Sequence, residues 1–428
     1  MVHPTLITVD PLKPAQGQKG LMNRWHPDIP PACTVKQGQV FKLQCHEWTG
    51  GQIKNSDDAD DVAGVNLSHI HYLTGPVAVE GAEPGDALVV ELLNIEYFEQ
   101  MPWGYTGVFE EKDGGLFATQ FKTRAAKAIW DFEGRFASSR HIPGVRFAGI
   151  THPGIIGTAP SQELLDTWNS REQTLIDQHP GACPAVALSP EPQNAYVGQD
   201  VPSEVMTKIA NEGARTIPGR EHGGNCDIKN LSIGSKVWLP VYVPGANLAI
   251  GDLHFSQGDG ELSFIEMAGI VTLKCSVLKA GVDKLALTQP IFLPSPIDPT
   301  YSQQLTFEGI GVDIHGTGEQ KSMCATTAFK QAALNTMAYL LKLGYTIEQA
   351  HLLLSAAPVE SHIGAIVDFP NACVTMSIPT QIFNRDILPT GMGADGFEKR
   401  DYGQAAIRSD GARGIDIFAE KERRKGKQ

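Results

Sequence analysis

KVWLPVYVPGANLAIGDLHFSQGDGE, residues 236–261, is the stretch whose reading decides the fold. Its first half is rich in β-branched and aromatic residues broken by a Pro-Gly turn, the pattern of one or two strands. If LAIGDLHF is a strand, its side chains alternate between faces. Asp252 and His254 then share one face, and Leu253 and Phe255 the other. The apolar pair faces a core and the polar pair a cleft or solvent. The Gly-Asp-Gly at 258–260 marks a tight turn into the next strand. Asp252, His254, Gln257, Asp259 and Glu261 thus crowd into one hairpin, more polarity than a hairpin needs.

Working outward, VFKLQCHEW (40–48), GDALVVELLNIEYF (85–98) and GIVTLKCSVLKAG (269–281) also read as strands. Between them, SQELLDTWNSREQTLIDQHP (161–180) has helical spacing at Leu164, Leu165, Trp168 and Leu175, with Ser161 as its cap. TTAFKQAALNTMAYLLKLG (326–344) is helical at Phe329, Ala333, Met337, Leu340 and Leu341, with Gly344 as a stop. A Thr-x-x-Gln capping box at Thr346 and Gln349 opens the next helix. A strand-like run follows at 372–379. The fold class expected is mostly β with a small C-terminal α+β element. The expected domains are a β-rich 1–218 with an irregular Gly/Pro-rich insert, a central β domain 219–320 carrying the active-site motifs, a helix-pair element 321–392 and a loosely structured tail 393–428.

Composition agrees. The 44 Gly and 28 Pro favour many short strands over long helices. A net charge of −13 argues against a nucleic-acid partner, which needs clustered Lys and Arg. No apolar run approaches the roughly 20 residues of a membrane span. MVHPTLITVD at the start has no basic region followed by an apolar stretch, so no export signal is expected. Seven scattered cysteines without CxxC suit reduced thiols in the cytoplasm. Neither GxxxxGK[ST] nor a strand-linked GxGxxG occurs, so no nucleotide cofactor is expected.

The polar hairpin suits either of two chemistries. Asp, His and Glu together fit a divalent metal such as zinc, with Asp252 and His254 as ligands. Alternatively the carboxylates work as general acid and base without metal. In REHGGNCDIK (220–229), Gly223 and Gly224 permit close backbone approach, with His222, Asn225, Asp227 and Lys229 around them. Such a loop can present N–H groups to a developing oxyanion, or be a loop bonded to its own backbone. The acidic run at Asp57, Asp58, Asp60 and Asp61 lacks EF-hand spacing and reads as a solvated loop. Lys54 is a candidate partner for a carboxylate. His26, His69, His71, His141 and His152, each taken singly, read as structural.

EHGGNCDIKNLSIGSKVWLPVYVPGA (221–246) and GDLHFSQGDGE (251–261) together resemble the signature of the acetamidase/formamidase family. TGPVAVEGAEPGD (74–86) and LLLSAAPVESHIGAIVDFPNACVTM (352–376) extend the resemblance across residues 7–386. NRWHPDIP, WTGGQIKN and IWDFEGRFASSRHIPGV resemble its formamidase branch. The resemblance implies a jelly-roll-like β-sandwich, a second β-rich part, and a cytoplasmic homo-oligomer that hydrolyses formamide to formate and ammonia. For that reaction Glu261, Glu266, Asp227 and His222 are the candidate catalytic residues. Gly223, Gly224, Asn225, Gln257 and Asp259 would bind substrate. The rivals are a lactam or other short-amide hydrolase on the same scaffold and a non-catalytic jelly-roll binding protein. Members of the branch read Cys-Gly-Ala before Ile-Glu, whereas GDGELSFIEMAG (258–269) lacks that triplet. Its loss changes strand parity between Glu261 and Glu266, which then point oppositely in a regular strand. It also leaves Cys226 as the nearest thiol. Impaired activity of this chain is the resulting expectation.

Overall fold

In the strand Val40–Cys45, Phe41, Leu43 and Cys45 are fully buried while Lys42 and Gln44 stay half-exposed. That is the period-two pattern of a strand with one face in a core. The computed structural model, which describes residues 3–260, 262–297, 301–389 and 398–425, places this strand in a six-stranded sheet. The order is Thr5–Ile7, Val40–Cys45, Gly269–Leu278, Ala87–Tyr97, Lys236–Pro240 and Ile291–Leu293. The first pair is parallel and the others antiparallel.

A larger sheet carries Trp103–Val108, Phe264–Met267, Leu248–Gln257, His152–Gly157 and Gly223–Asn225 side by side at its middle. Leu43, Val90, Val271 and Leu273 of the first sheet and Leu253, Phe255, Ile265 and Met267 of the second lie in one buried cluster. Phe255 stacks on Phe132 with ring centroids 4.1 Å apart. The apolar half of the alternating stretch therefore faces the core, as expected. A third sheet, Gln304–Ile310, Cys373–Pro379 and Glu360–Ala365, packs against the helix Ala325–Leu343.

The helix signals are met in most details. Ser161 caps Gln162–Gln178 by accepting the Leu164 N–H at 3.2 Å. Leu165 and Trp168 are buried, but Leu175 is 58% exposed and takes no part in the packing. Gly344, at φ 114°, ends the helix Ala325–Leu343, and the Thr346–Gln349 capping box opens Ile347–Ala356. The expected boundary at residue 218 is not a boundary between sheets. Strands from either side of it alternate in both large sheets, because Lys236–Pro240 and Gly269–Leu278 flank Ala87–Tyr97. Nor is the described part of the tail loose: Ala406–Ile407 pairs with Lys127 and Ala126, and Ile417–Lys425 is helical. Among the described residues, no helix is long and apolar enough to cross a membrane.

The helix Gln162–Gln178 fixes the segment that follows residue 219. Glu221 accepts from Trp168 Nε1 at 2.8 Å and from Arg171 at 2.6 Å, while Arg220 donates to Glu172 at 2.7 Å. The Arg171 hydrogen bond, opposed by burial, draws the Glu221 carboxyl down to about 2. A folded-state value below the ordinary 4.5 gives stability that is complete above pH 4.5 and disappears as pH falls towards 2. Glu221→Gln is expected to cost about 1–2 kcal/mol at pH 7. Its deficit against the parent chain should shrink between pH 4.5 and 2 in urea unfolding curves. A deficit that stays constant across that range would refute the assignment.

Candidate functional site

The strand Leu248–Gln257 is buried at every position and carries the polar residues of the site. Its register sets His254 opposite His152 on one side and Glu266 on the other. Asp252 has φ 54°, in the left-handed region that Asp enters more readily than most residues. A register shift between His254 and Ser256 follows. Such a shift inserts one residue and resets the alternation. Gln257, which would otherwise point away from His254, instead reaches His152 Nε2 at 2.8 Å and the Asp227 carbonyl at 2.5 Å.

His254 is the hub. Its Nε2 lies 3.5 Å from Asp252 Oδ1 and 3.5 Å from Glu266 Oε2, and its Nδ1 lies 3.2 Å from His152 Nε2. His152 Nδ1 is fixed by the Ile150 carbonyl at 2.7 Å. His71 Nε2 stands 3.9 Å from Asp252 Oδ2. Phe264 stacks on the His254 ring at 3.8 Å. Tyr105, whose backbone pairs with Glu266, donates its hydroxyl to Glu47 at 2.7 Å. Beyond Asp252 and Glu266 opens a cavity of about 360 Å³. A second, more open cavity of about 640 Å³ touches Asp227 and Gln257, and Asn225 lines both.

Burial separates the two carboxyls. It pushes Glu266 well above the ordinary carboxylate range, and the neighbouring Asp252, Glu47 and Asp227 push it further. Burial also raises Asp252, but the His71 and His254 imidazoles outweigh it and hold Asp252 low. The surroundings thus drive Glu266 towards the protonated form and Asp252 towards the carboxylate. Burial, aided by His254, lowers His152 to about 3, so it stays neutral.

Asp227, Asp252 and His254 each offer a donor atom, all within 4.8 Å of one another. Both Asp252 oxygens and His254 Nε2 are buried without a hydrogen-bond partner. Gly154 keeps the space between them open: a Cβ there would meet His254 Cε1 at 2.5 Å, Asp252 Oδ2 at 2.6 Å and Asp227 Oδ1 at 2.8 Å. Two carboxylates and an imidazole around such a cradle fit a divalent cation such as zinc.

The expected residues thus divide. Asp227, Asp252, His254, Gln257 and Glu266 come together, and Asn225 lines the adjoining walls. Glu266 faces His254, while Glu261 lies outside the described residues. His222 sits between the indoles of Trp25 and Trp168, with centroids at 4.6 and 4.4 Å, and its described contacts do not reach Asp252 or Glu266. Gly223 and Gly224, at φ 106° and 76°, serve close strand packing. A Cβ on Gly224 would meet the His222 ring at 2.9 Å. The Cys226 and Asp227 amides donate to the Gly154 carbonyl at 2.8 and 3.2 Å, so they are not oxyanion donors. Burial pushes the Cys226 thiol up to about 12, too high for a nucleophile. Lys54 donates to the Gly51 carbonyl rather than to a carboxylate. Asp57, Asp60 and Asp61 are engaged by Arg140, Ser409 and Lys127. Sequence reasoning left His71 and His152 as structural and missed Glu47 and Tyr105, whose sequence distance hides their pairing.

Residues 8–385 match the acetamidase/formamidase family. A formamidase of Methylophilus methylotrophus is 51% identical over 91% of this chain and 96% of its own. An acetamidase of Mycolicibacterium smegmatis is 50% identical over 79% of this chain and 86% of its own. Among solved structures, a gamma lactamase from Delftia acidovorans superposes with a TM-score of 0.89 at 50% identity, covering 95% of this chain and all of that one.

The site loop is anchored by Lys229, whose buried Nζ lies 2.9 Å from Asp259, 2.9 Å from Glu360 and 2.7 Å from the Val359 carbonyl. Asp259 also accepts the Ser361 N–H at 3.0 Å. It is thus a tie between the hairpin turn and the C-terminal unit rather than a substrate ligand. Removing one member of a buried ion cluster typically costs about 3–5 kcal/mol. Lys229→Met is expected to lose that much in urea unfolding, and Glu360→Gln added to it should recover part. A Lys229→Met chain as stable as the parent would contradict the clamp.

Proposed function

Because the chain belongs to the acetamidase/formamidase family, we propose that it hydrolyses a small amide to its carboxylate and ammonia, with formamide as the first substrate to consider. The observation that carries this reading is the buried pair Asp252 and Glu266, both 3.5 Å from His254 Nε2 and driven in opposite directions from the ordinary carboxylate range. Two carboxyls whose surroundings drive them apart suit base and acid roles in one site. The amide carbon would sit at the end of the cavity that both carboxyls line. Asp252 takes a proton from water as the new C–O bond forms. Collapse of the tetrahedral centre breaks the C–N bond, and Glu266 delivers its proton to the departing nitrogen. Asp252 then releases its proton to water, and Glu266 takes one up from water for the next cycle. The Asn225 Oδ1, buried without a partner, is placed to accept an amide N–H.

Asp227, Asp252 and His254 would hold a divalent cation, whose chemistry is to acidify water and polarise a carbonyl. Acetamide and lactams are the second reading, favoured by the names of two relatives. A non-catalytic binding role would require no ammonia release from any short amide.

Glu266→Gln keeps the shape of the side chain and removes the transferable proton. General acids contribute about 10²–10⁴ in rate. The variant is expected to lose kcat on formamide by that factor with an unchanged circular dichroism spectrum. Full activity would end the assignment. Elemental analysis of the purified protein is expected to find a divalent metal that Asp252→Asn and Gly154→Ala lose. A metal content equal in all three proteins would rule out this donor set.

A further inference from the structure

We infer that the site is built for neutral amides carrying an apolar group of about ring size, not for formamide alone. The inference rests on amide hydrolysis at Asp252 and Glu266. Formamide has three non-hydrogen atoms, so at about 30 Å³ for each water-sized unit it fills on the order of 90 Å³. The cavity adjoining the two carboxyls measures about 360 Å³. Its reacting end is polar, with Asp252, Glu266 and His71. Trp48, Ile70, Phe109, Phe117, Leu116 and Val186 form an apolar wall beyond it, interrupted by Asp113, Thr123 and Ser263. Trp48, Ile70 and Phe117 are buried parts of the fold, while Phe109, Leu116 and Val186 are half-buried towards the cavity mouth. Trp48 meets Phe109 edge-on at 6.0 Å and tilts against His71 at 5.1 Å, which carries the aromatic wall up to the reacting end. His351 lies edge-on to Phe117 at 5.9 Å and closes the apolar wall on the side of the helix Ile347–Ala356.

Among the described residues, no Lys or Arg lines this cavity. An amide with a second carboxylate would find no cation there and would lose its hydration without compensation. A flat or alicyclic hydrocarbon group would exchange water for aromatic faces and edges. Its binding energy, remote from the carbonyl, becomes available to hold the amide carbon against Asp252 and Glu266, a resource that formamide lacks.

The test measures ammonia release by the full chain from formamide, acetamide, benzamide and succinamate. Benzamide is expected to exceed acetamide at least tenfold in kcat/KM, with succinamate inert. Leu116→Trp and, independently, Val186→Trp should lower the benzamide-to-acetamide ratio at least tenfold. Turnover of formamide without benzamide, or a ratio unchanged in both variants, overturns the inference and leaves the amidase reading standing. If none of the four amides is hydrolysed, the amidase reading falls. Calorimetry with benzamide then decides the cavity's ligand class: binding by the parent that Leu116→Trp abolishes supports it, and no binding by the parent overturns it.

Discussion

Holding Asp252, His254 and Glu266 away from water is the constraint on which the rest of the structure depends. An ionised group in a protein interior typically costs several kcal/mol after relaxation. The fold meets that cost in two ways. Glu266 escapes it by keeping its proton, since burial and three neighbouring carboxyls all favour the neutral form. Asp252 stays charged because two imidazoles stand within 4 Å of it. The asymmetry in protonation is therefore a consequence of burial plus neighbours, and no single residue type dictates it.

Such a cluster holds its geometry only if its supports are rigid. The strand Leu248–Gln257 has partners on both sides, and its apolar face is locked into the inter-sheet core by Leu253 and Phe255. Behind His254 stands a fixed chain: His152 on the Ile150 carbonyl, and Gln257 on the Asp227 carbonyl. Lys229 ties the loop bearing Asp227 to the hairpin turn and to Glu360. The small C-terminal unit thus stabilises the site without lending it a side chain that touches the reacting centre.

The sequence disclosed the strand and its two faces because period-two alternation is a local signal, and Asp252 and His254 followed from it. The helices were legible from caps and spacing, although Leu175 shows that an apolar residue at helical spacing need not be buried. Gln257 lay on the wrong parity for the site, and only the register shift after His254 brings it in. His222 misled because its glycine neighbours look like a catalytic loop. Those glycines instead let strands approach and seat the imidazole between two indoles. His152 and His71 carried no signal singly; their roles arise from pairings across roughly a hundred residues or more. Glu47 and Tyr105 were illegible for the same reason.

Gly154 shows how little of a site needs to be a functional group. It contributes no side chain, yet a single methyl group at its position would collide with three polar residues at once. The antiparallel register that brings His152 opposite His254 also brings Gly154 close to the carboxylates, so one strand supplies both the imidazole support and the empty space. The tightest contact of an Ala there would be with the His254 ring. His254 is stacked under Phe264 and backed by His152, so it has no room to retreat. The capacity of the site to admit a cation, a water or a reacting carbonyl thus depends on a missing atom as much as on the groups around it.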